Sequence, residues 1–160
     1  MAPLITHLTT QIILQKKFPQ TFKIDCITPK HKKGKPIYDI GSYRPINNLC
    51  TIEKVIEEYI IGHLDTFLIN NKIINNNHHG GRKGHSTITA LNQIINTSHI
   101  NYENNHITGI LITDMSKAFD TIDHFTLLSK MEYYGIRGDS LDIFTSYLTN
   151  RQQFVEIDIY

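Results

Sequence analysis

A chain of 160 residues with 40% apolar and 19% charged side chains has the size and composition of one folded domain and needs no metal or disulfide staple to hold a core. Its longest apolar run, around Ile107 to Ile112, falls far short of the roughly 18 residues of a membrane span. No basic segment and apolar signal core follow Met1, so the expectation is an intracellular protein of cytoplasm or nucleus, not secreted and not membrane-bound. The 27 Ile and 13 Asn are read as coding from A/T-rich codons. Cys26 and Cys50 lack CxxC spacing, which fits a reducing compartment. The net charge of +1 conceals an asymmetry: residues 1–50 carry +6, residues 51–100 carry 0 and residues 101–160 carry −5. Either this is solvated surface charge, or a basic surface that meets phosphate lies beside a carboxylate site that holds cations.

From Pro3 to Phe18, Leu4, Ile5, Leu8, Ile12 and Ile13 recur at helical spacing, with Pro3 suited to a first turn. Phe22, Ile24 and Cys26 alternate with Lys23 and Asp25, a half-buried strand that runs into Pro29 and a basic loop from Lys30 to Pro36. Thr51 to Ile69 carries the strongest helical period, with Ile52, Val55, Ile56, Tyr59, Ile60, His63, Leu64, Phe67 and Leu68 on one face. After the Asn-rich stretch 70–77 and glycines 80, 81 and 84, Ser86 or Thr87 is placed to cap a third helix bearing Ile88, Leu91, Ile94 and Ile95. The run Ile107 to Thr113 reads as a buried strand ending at Asp114, followed by a helix-forming segment from Ser116 to Asp120. Two short helices follow, His124 to Tyr134 ending at Gly135, and Asp139 to Asn150 capped by Asp139 or Ser140. A final strand is expected from Gln153 to Tyr160, and because the chain stops inside it the fold is expected to be truncated.

Asp114, at the carboxyl end of an apolar strand, is positioned either to hold a hard divalent cation or to cap the helix from Ser116. Asp120 and Asp123 are read as companions on one helix face, or as a surface residue and the cap of the next helix. The loop Lys30 to Lys35 and Ser42-Tyr43-Arg44-Pro45 offer ammonium groups and one planar guanidinium, a combination that grips phosphate oxygens, although a bare charge run is also what a solvated loop shows. Gly80-Gly-Arg-Lys-Gly-His-Ser-Thr87 is a second basic, glycine-rich turn opening on a helix N-terminus, suited to a nucleic-acid phosphate or simply to capping. His78-His79 carries no metal-site pattern.

Taken in order, Thr28-Pro-Lys-His-Lys-Lys-Gly-Lys35, Ser42-Tyr-Arg-Pro-Ile46, Gly80 to Thr87, Leu111-Ile-Thr-Asp-Met-Ser-Lys-Ala-Phe-Asp-Thr-Ile-Asp-His124, Tyr134-Gly-Ile-Arg-Gly138 and Ser146-Tyr-Leu-Thr-Asn-Arg151 resemble the reverse transcriptase of non-LTR (LINE-like) retrotransposons. The resemblance implies an α+β, right-hand polymerase fold, here partial, with residues 1–106 fingers-like and residues 107–160 the first part of the palm. Asp114 then resembles the first catalytic aspartate and metal ligand, with the Met115 carbonyl a further ligand. Phe119 resembles the steric gate against a ribose 2′-hydroxyl. Arg44, with a lysine among Lys30, Lys32 and Lys33, resembles the grip on the incoming triphosphate, and Arg82, Lys83 and Ser86 resemble template contacts. The implied cofactor is Mg²⁺ or Mn²⁺; the implied partners are RNA template, DNA primer and dNTP, with no membrane and no obligate protein partner. One departure is His78-His79-Gly80-Gly81, where the family places an aromatic after the first glycine. The family's aspartate pair is expected after residue 160, so this chain alone is expected not to polymerise, since two-metal phosphoryl transfer needs carboxylates from a second strand. The alternatives are a nucleic-acid-binding remnant without chemistry and an unrelated α/β phosphotransferase with Asp114 as nucleophile.

Overall fold

The computed structural model describes residues 2–115 and 118–156. Among these residues five α-helices and a three-stranded sheet make a mixed α+β fold: α1 Ala2–Gln15, β1 Ile24–His31, β2 Tyr43–Asn48, α2 Thr51–Asn70, α3 Thr87–Glu103, α4 His124–Tyr133, α5 Asp139–Leu148 and β3 Gln152–Val155. They fall into two compact units, Met1–His63 with Ile122–Tyr160, and Leu64–Thr121, with the boundary inside α2.

In the first unit β1 is the central strand, antiparallel to β2 and parallel to β3. The core is Ile12, Phe18 and Ile56, surrounded by Leu8, Phe22, Ile52, Ile60, Ile143 and Tyr147. Phe18 seals it through edge-on contacts with Phe22 at 6.1 Å and Tyr147 at 4.9 Å between ring centres. The Phe18 backbone N–H donates to Ser146 Oγ at 2.9 Å. The chain leaves α1 through Lys16, held at φ 55, the left-handed conformation that ends helices. On α2 the inward stripe is narrower than the periodicity suggests. Ile56 is fully buried and Ile52 and Ile60 partly so, but Val55 and Tyr59 are exposed and Glu53 is buried instead.

Helix α4 closes as the sequence implies. Gly135 at φ 99 lets its N–H reach the Glu132 carbonyl and the Ile136 N–H reach Met131, at 3.0 Å each, and Ile136 buries itself behind the turn. The start of α5 differs from expectation. Its cap is Gly138, without a side-chain bond, and not Asp139 or Ser140. The Asp139 carboxylate is instead paired with Lys16 Nζ at 2.5 Å. Strand β3 spans only Gln152–Val155, and residues 157–160 of the expected strand lie outside the described residues.

In the second unit, Ser86 caps α3 in a reciprocal box: its hydroxyl accepts from Thr89 N at 3.3 Å, while Thr89 Oγ1 accepts from Ser86 N at 2.9 Å. Ser86→Ala is therefore expected to lower the stability of α3 by about 1 kcal/mol, measurable as earlier loss of helical circular dichroism on heating. The expected strand Ile107 to Thr113 is not one. Residues 107–115 carry no ladder, and Ile107, Leu111 and Ile112 are 100%, 89% and 87% exposed. An apolar run becomes a strand only when neighbouring strands pair with it and cover it, and among the described residues the sheet β2-β1-β3 does not extend to this run. Of the segment expected to be helical from Ser116 to Asp120, residues 118–120 form a turn, and Ser116 and Lys117 lie outside the described residues.

Candidate functional site

Where the sequence suggests a loop from Lys30 and a basic segment around Arg44, the chain builds a hairpin. The β1–β2 register sets Lys30 directly opposite Arg44, with Thr28 opposite Ile46 and Pro29 opposite Pro45. Two prolines can face each other only where neither N–H is needed across the ladder, which explains why β1 continues through Pro29. Residues directly opposite share a face, so Lys30, Arg44, Thr28, Ile46 and Asn48 lie on one side, consistent with Asn48 Nδ2 donating to Thr28 Oγ1 at 2.7 Å.

The hairpin loop is tied to itself. The Lys32 N–H donates to the Ser42 carbonyl at 2.7 Å and Lys32 Nζ to the Gly41 carbonyl at 2.8 Å. Gly34 at φ 80 provides the left-handed corner of the turn from Lys32 to Lys35. Asp39 accepts from the Gly41 N–H at 2.9 Å and from the fully buried Ser42 hydroxyl at 3.4 Å. Tyr43 Oη donates to the Ile37 carbonyl at 2.9 Å. Lys32 and Ser42 thus brace the loop, whereas Lys30, Lys33 and Arg44 are exposed and make no ion pair among the described residues. Like charges set opposite one another weaken a strand pair; Lys30 and Arg44 form a fork suited to an anion lying over that face.

In the second unit, Arg82 and Lys83 sit between Gly81 at φ 64 and Gly84 at φ 77. His79, set aside as a metal ligand in the sequence, holds this segment against α3: Nδ1 bonds Thr89 Oγ1 at 2.9 Å and Nε2 bonds Gln93 Oε1 at 2.7 Å, while Gln93 Nε2 donates to Asn77 at 2.6 Å. Both ring nitrogens are occupied. Asp114, Met115 and Phe119 are exposed, Phe119 at 91%. Among the described residues no group of three His, Cys, Asp or Glu is close enough to hold a metal ion. Asp123, in the first unit, is the cap of α4: its Oδ2 accepts from the Thr126 hydroxyl and N–H at 2.7 Å each, bonds that hold its carboxyl below the ordinary range.

The most developed polar cluster is one the sequence does not announce. Arg151, just before β3, donates from Nη2 to Asp25 Oδ1 and Oδ2 at 2.9 and 3.0 Å and to Glu53 Oε1 at 3.3 Å. It lies 4.8 Å over the Tyr147 ring, and Tyr147 Oη donates to Glu57 Oε1 at 2.5 Å. Asp25 and Glu53 are 8% and 3% exposed. Burial pushes the Glu53 carboxyl up, against the pull of its bond to Arg151. Burial, reinforced by the bond to Glu57, raises the Tyr147 phenol well above its ordinary range. The guanidinium fastens β1, α2 and the end of α5 together.

No helix among the described residues is long and apolar enough to cross a membrane. Residues 29–158 match the family described as reverse transcriptase (RNA-dependent DNA polymerase). The chain is 31% identical over 148 residues to the probable RNA-directed DNA polymerase from transposon BS of Drosophila melanogaster, a match covering 88% of this chain and 15% of that protein. It is 29% identical over 144 residues to the probable RNA-directed DNA polymerase from transposon X-element of the same organism, covering 86% of the chain and 16% of that protein. Against the RNA-directed DNA polymerase from mobile element jockey of Drosophila melanogaster it is 33% identical over 113 residues, covering 71% and 12%. The chain therefore corresponds to less than a fifth of the length of these relatives. The matched span contains both strands of the basic hairpin from Pro29 onward, the loop at Arg82 and Asp114, and the chain belongs to the reverse transcriptase (RNA-dependent DNA polymerase) family.

Proposed function

We propose that this chain supplies the nucleotide grip and the first metal-binding carboxylate of an RNA-directed DNA polymerase acting on an RNA template, a DNA primer and dNTPs. In this reading residues 1–106 are fingers-like and residues 107–160 begin the palm. The observation that carries it is the register that opposes Lys30 and Arg44 on one face of an exposed hairpin. A triphosphate offers several anionic oxygens in a row; the fork, with Lys33 at the adjoining turn, answers them with charge-assisted hydrogen bonds. Arg82 and Lys83, raised on a glycine turn beside the Ser86 cap, suit the template backbone, and the exposed Phe119 ring suits a gate against a 2′-hydroxyl.

The family's chemistry is nucleotidyl transfer assisted by a divalent metal, Mg²⁺ or Mn²⁺. Asp114 with the Met115 carbonyl supplies only part of such a site, and the described residues do not complete it. The part played by this chain's own residues is accordingly to bind and orient the phosphates and to contribute one carboxylate. The test is Arg44→Ala in a polymerase where residues 29–156 replace the matching segment of the jockey protein. Loss of a charge-assisted contact of about 1.5 to 3 kcal/mol is expected to raise KM for dNTP roughly tenfold to a hundredfold, with a smaller effect on kcat. Unchanged steady-state constants would make Arg44 an ordinary surface arginine.

A further inference from the structure

Between α1, the turn from Phe18 to Lys23 and α5, the first unit has an open groove of about 670 Å³, whose lining includes no residue of the β1–β2 hairpin. Lys23 lines it. Its side chain makes no hydrogen bond or ion pair among the described residues, and the residue is 5% exposed. Burial and the nearby Arg151 charge both press its ammonium toward the neutral form, an arrangement that an anion would relieve.

The rest of the lining points to the same chemistry. Lys16 and Lys17 stand on the rim against a single lining carboxylate, Asp142, and Lys16 is itself paired with Asp139. The Gln11 and Gln15 side chains add amide donors to the wall. The carboxylates that face Arg151, Asp25 and Glu53, are bonded to the guanidinium and do not pair with Lys23.

We infer that this groove is a phosphate-binding site anchored by Lys23, which receives a phosphoryl oxyanion presented either by a nucleic-acid backbone or as a free phosphate. Its ammonium supplies donors from below and the Lys17 and glutamine side chains close over the oxygens from the rim. The site is separate from the Lys30 and Arg44 fork and does not depend on that fork's role.

The experiment titrates the 160-residue chain with inorganic phosphate and, in parallel, with a ten-nucleotide single-stranded RNA, in wild type, in Arg44→Gln, which removes the hairpin fork, and in Arg44→Gln combined with Lys23→Met or with Lys23→Arg. Relative to the Arg44→Gln parent, Lys23→Met is expected to lose at least tenfold in phosphate affinity, while Lys23→Arg stays within about threefold. A parallel loss for the RNA assigns the site to a phosphodiester backbone; a loss for inorganic phosphate alone assigns it to the free ion. In wild type, phosphate is also expected to slow acylation of Lys23 at least fivefold, a readout that needs no variant. No phosphate binding, equal affinity in Lys23→Met, or acylation of Lys23 indifferent to phosphate would overturn the site. Phosphate binding abolished by Arg44→Gln, with no further effect of Lys23→Met, would place the anion at the hairpin, overturning this inference while leaving the nucleotide grip intact.

Discussion

Arg151→Ala is expected to unfold most of the first unit at temperatures where the wild type is folded. The substitution leaves Asp25 and Glu53, 8% and 3% exposed, as buried carboxylates without a cation. Breaking a buried pair by removing one partner costs about 3 to 5 kcal/mol, a large fraction of the stability of a small domain. The pH dependence distinguishes this cause from simple loss of packing. In the wild type the Glu53 carboxyl is already raised by burial, so its contribution favours folding below the ordinary carboxylate range and is lost as pH rises through its elevated folded value. Without Arg151 the Glu53 carboxyl is expected to move further up. The variant's deficit is then largest near neutral pH and shrinks as acid protonates it. Urea melts of Arg151→Ala and Arg151→Met at several pH values measure this. A deficit under about 1 kcal/mol, or one independent of pH, would remove the cluster from its place as the fastener of the unit.

Helical features were legible where one principle governs them locally. The recurrence of Ile52, Ile56 and Ile60 sufficed for α2, Ser86, one of two candidates with Thr87, sufficed for the start of α3, and Gly135 sufficed for the end of α4. The sheet was less legible because strand identity is a property of pairs. Pro29 and Pro45 argue against strands when read singly, and become compatible only when set opposite each other. Ile107 to Thr113 has the composition of a buried strand, yet no strand among the described residues pairs with it. Composition reports what a segment can do, not whether its partner is there.

The candidate site divides along the same line. Lys30 and Arg44 were singled out by type, but only the register shows that they oppose each other. Lys32 was grouped with them on charge, and its ammonium instead serves the Gly41 carbonyl. Glu53 is not in the apolar stripe read from the sequence, yet it is buried and bonded to Arg151, almost a hundred positions later. A long-range ion pair leaves no periodic trace. The motif ending at Arg151 was the available signal, and it marked the residue without indicating its structural work.

We propose that Asp114 belongs to the chemistry of an RNA-directed DNA polymerase and not merely to its surface. The most direct measurement is templated primer extension by the polymerase carrying residues 29–156 in place of the jockey segment, comparing the parent with its Asp114→Asn variant. The exchange keeps the size of the side chain and removes its charge, so template binding is expected to change less than twofold. Transition-state stabilisation by a bound metal is worth several kcal/mol, and each 1.4 kcal/mol is about tenfold in rate, so extension is expected to fall by about a hundredfold or more with Mg²⁺ and with Mn²⁺. Extension within about tenfold of the parent, with intact RNA binding, would contradict the assignment and leave a segment that binds nucleic acid without taking part in the reaction.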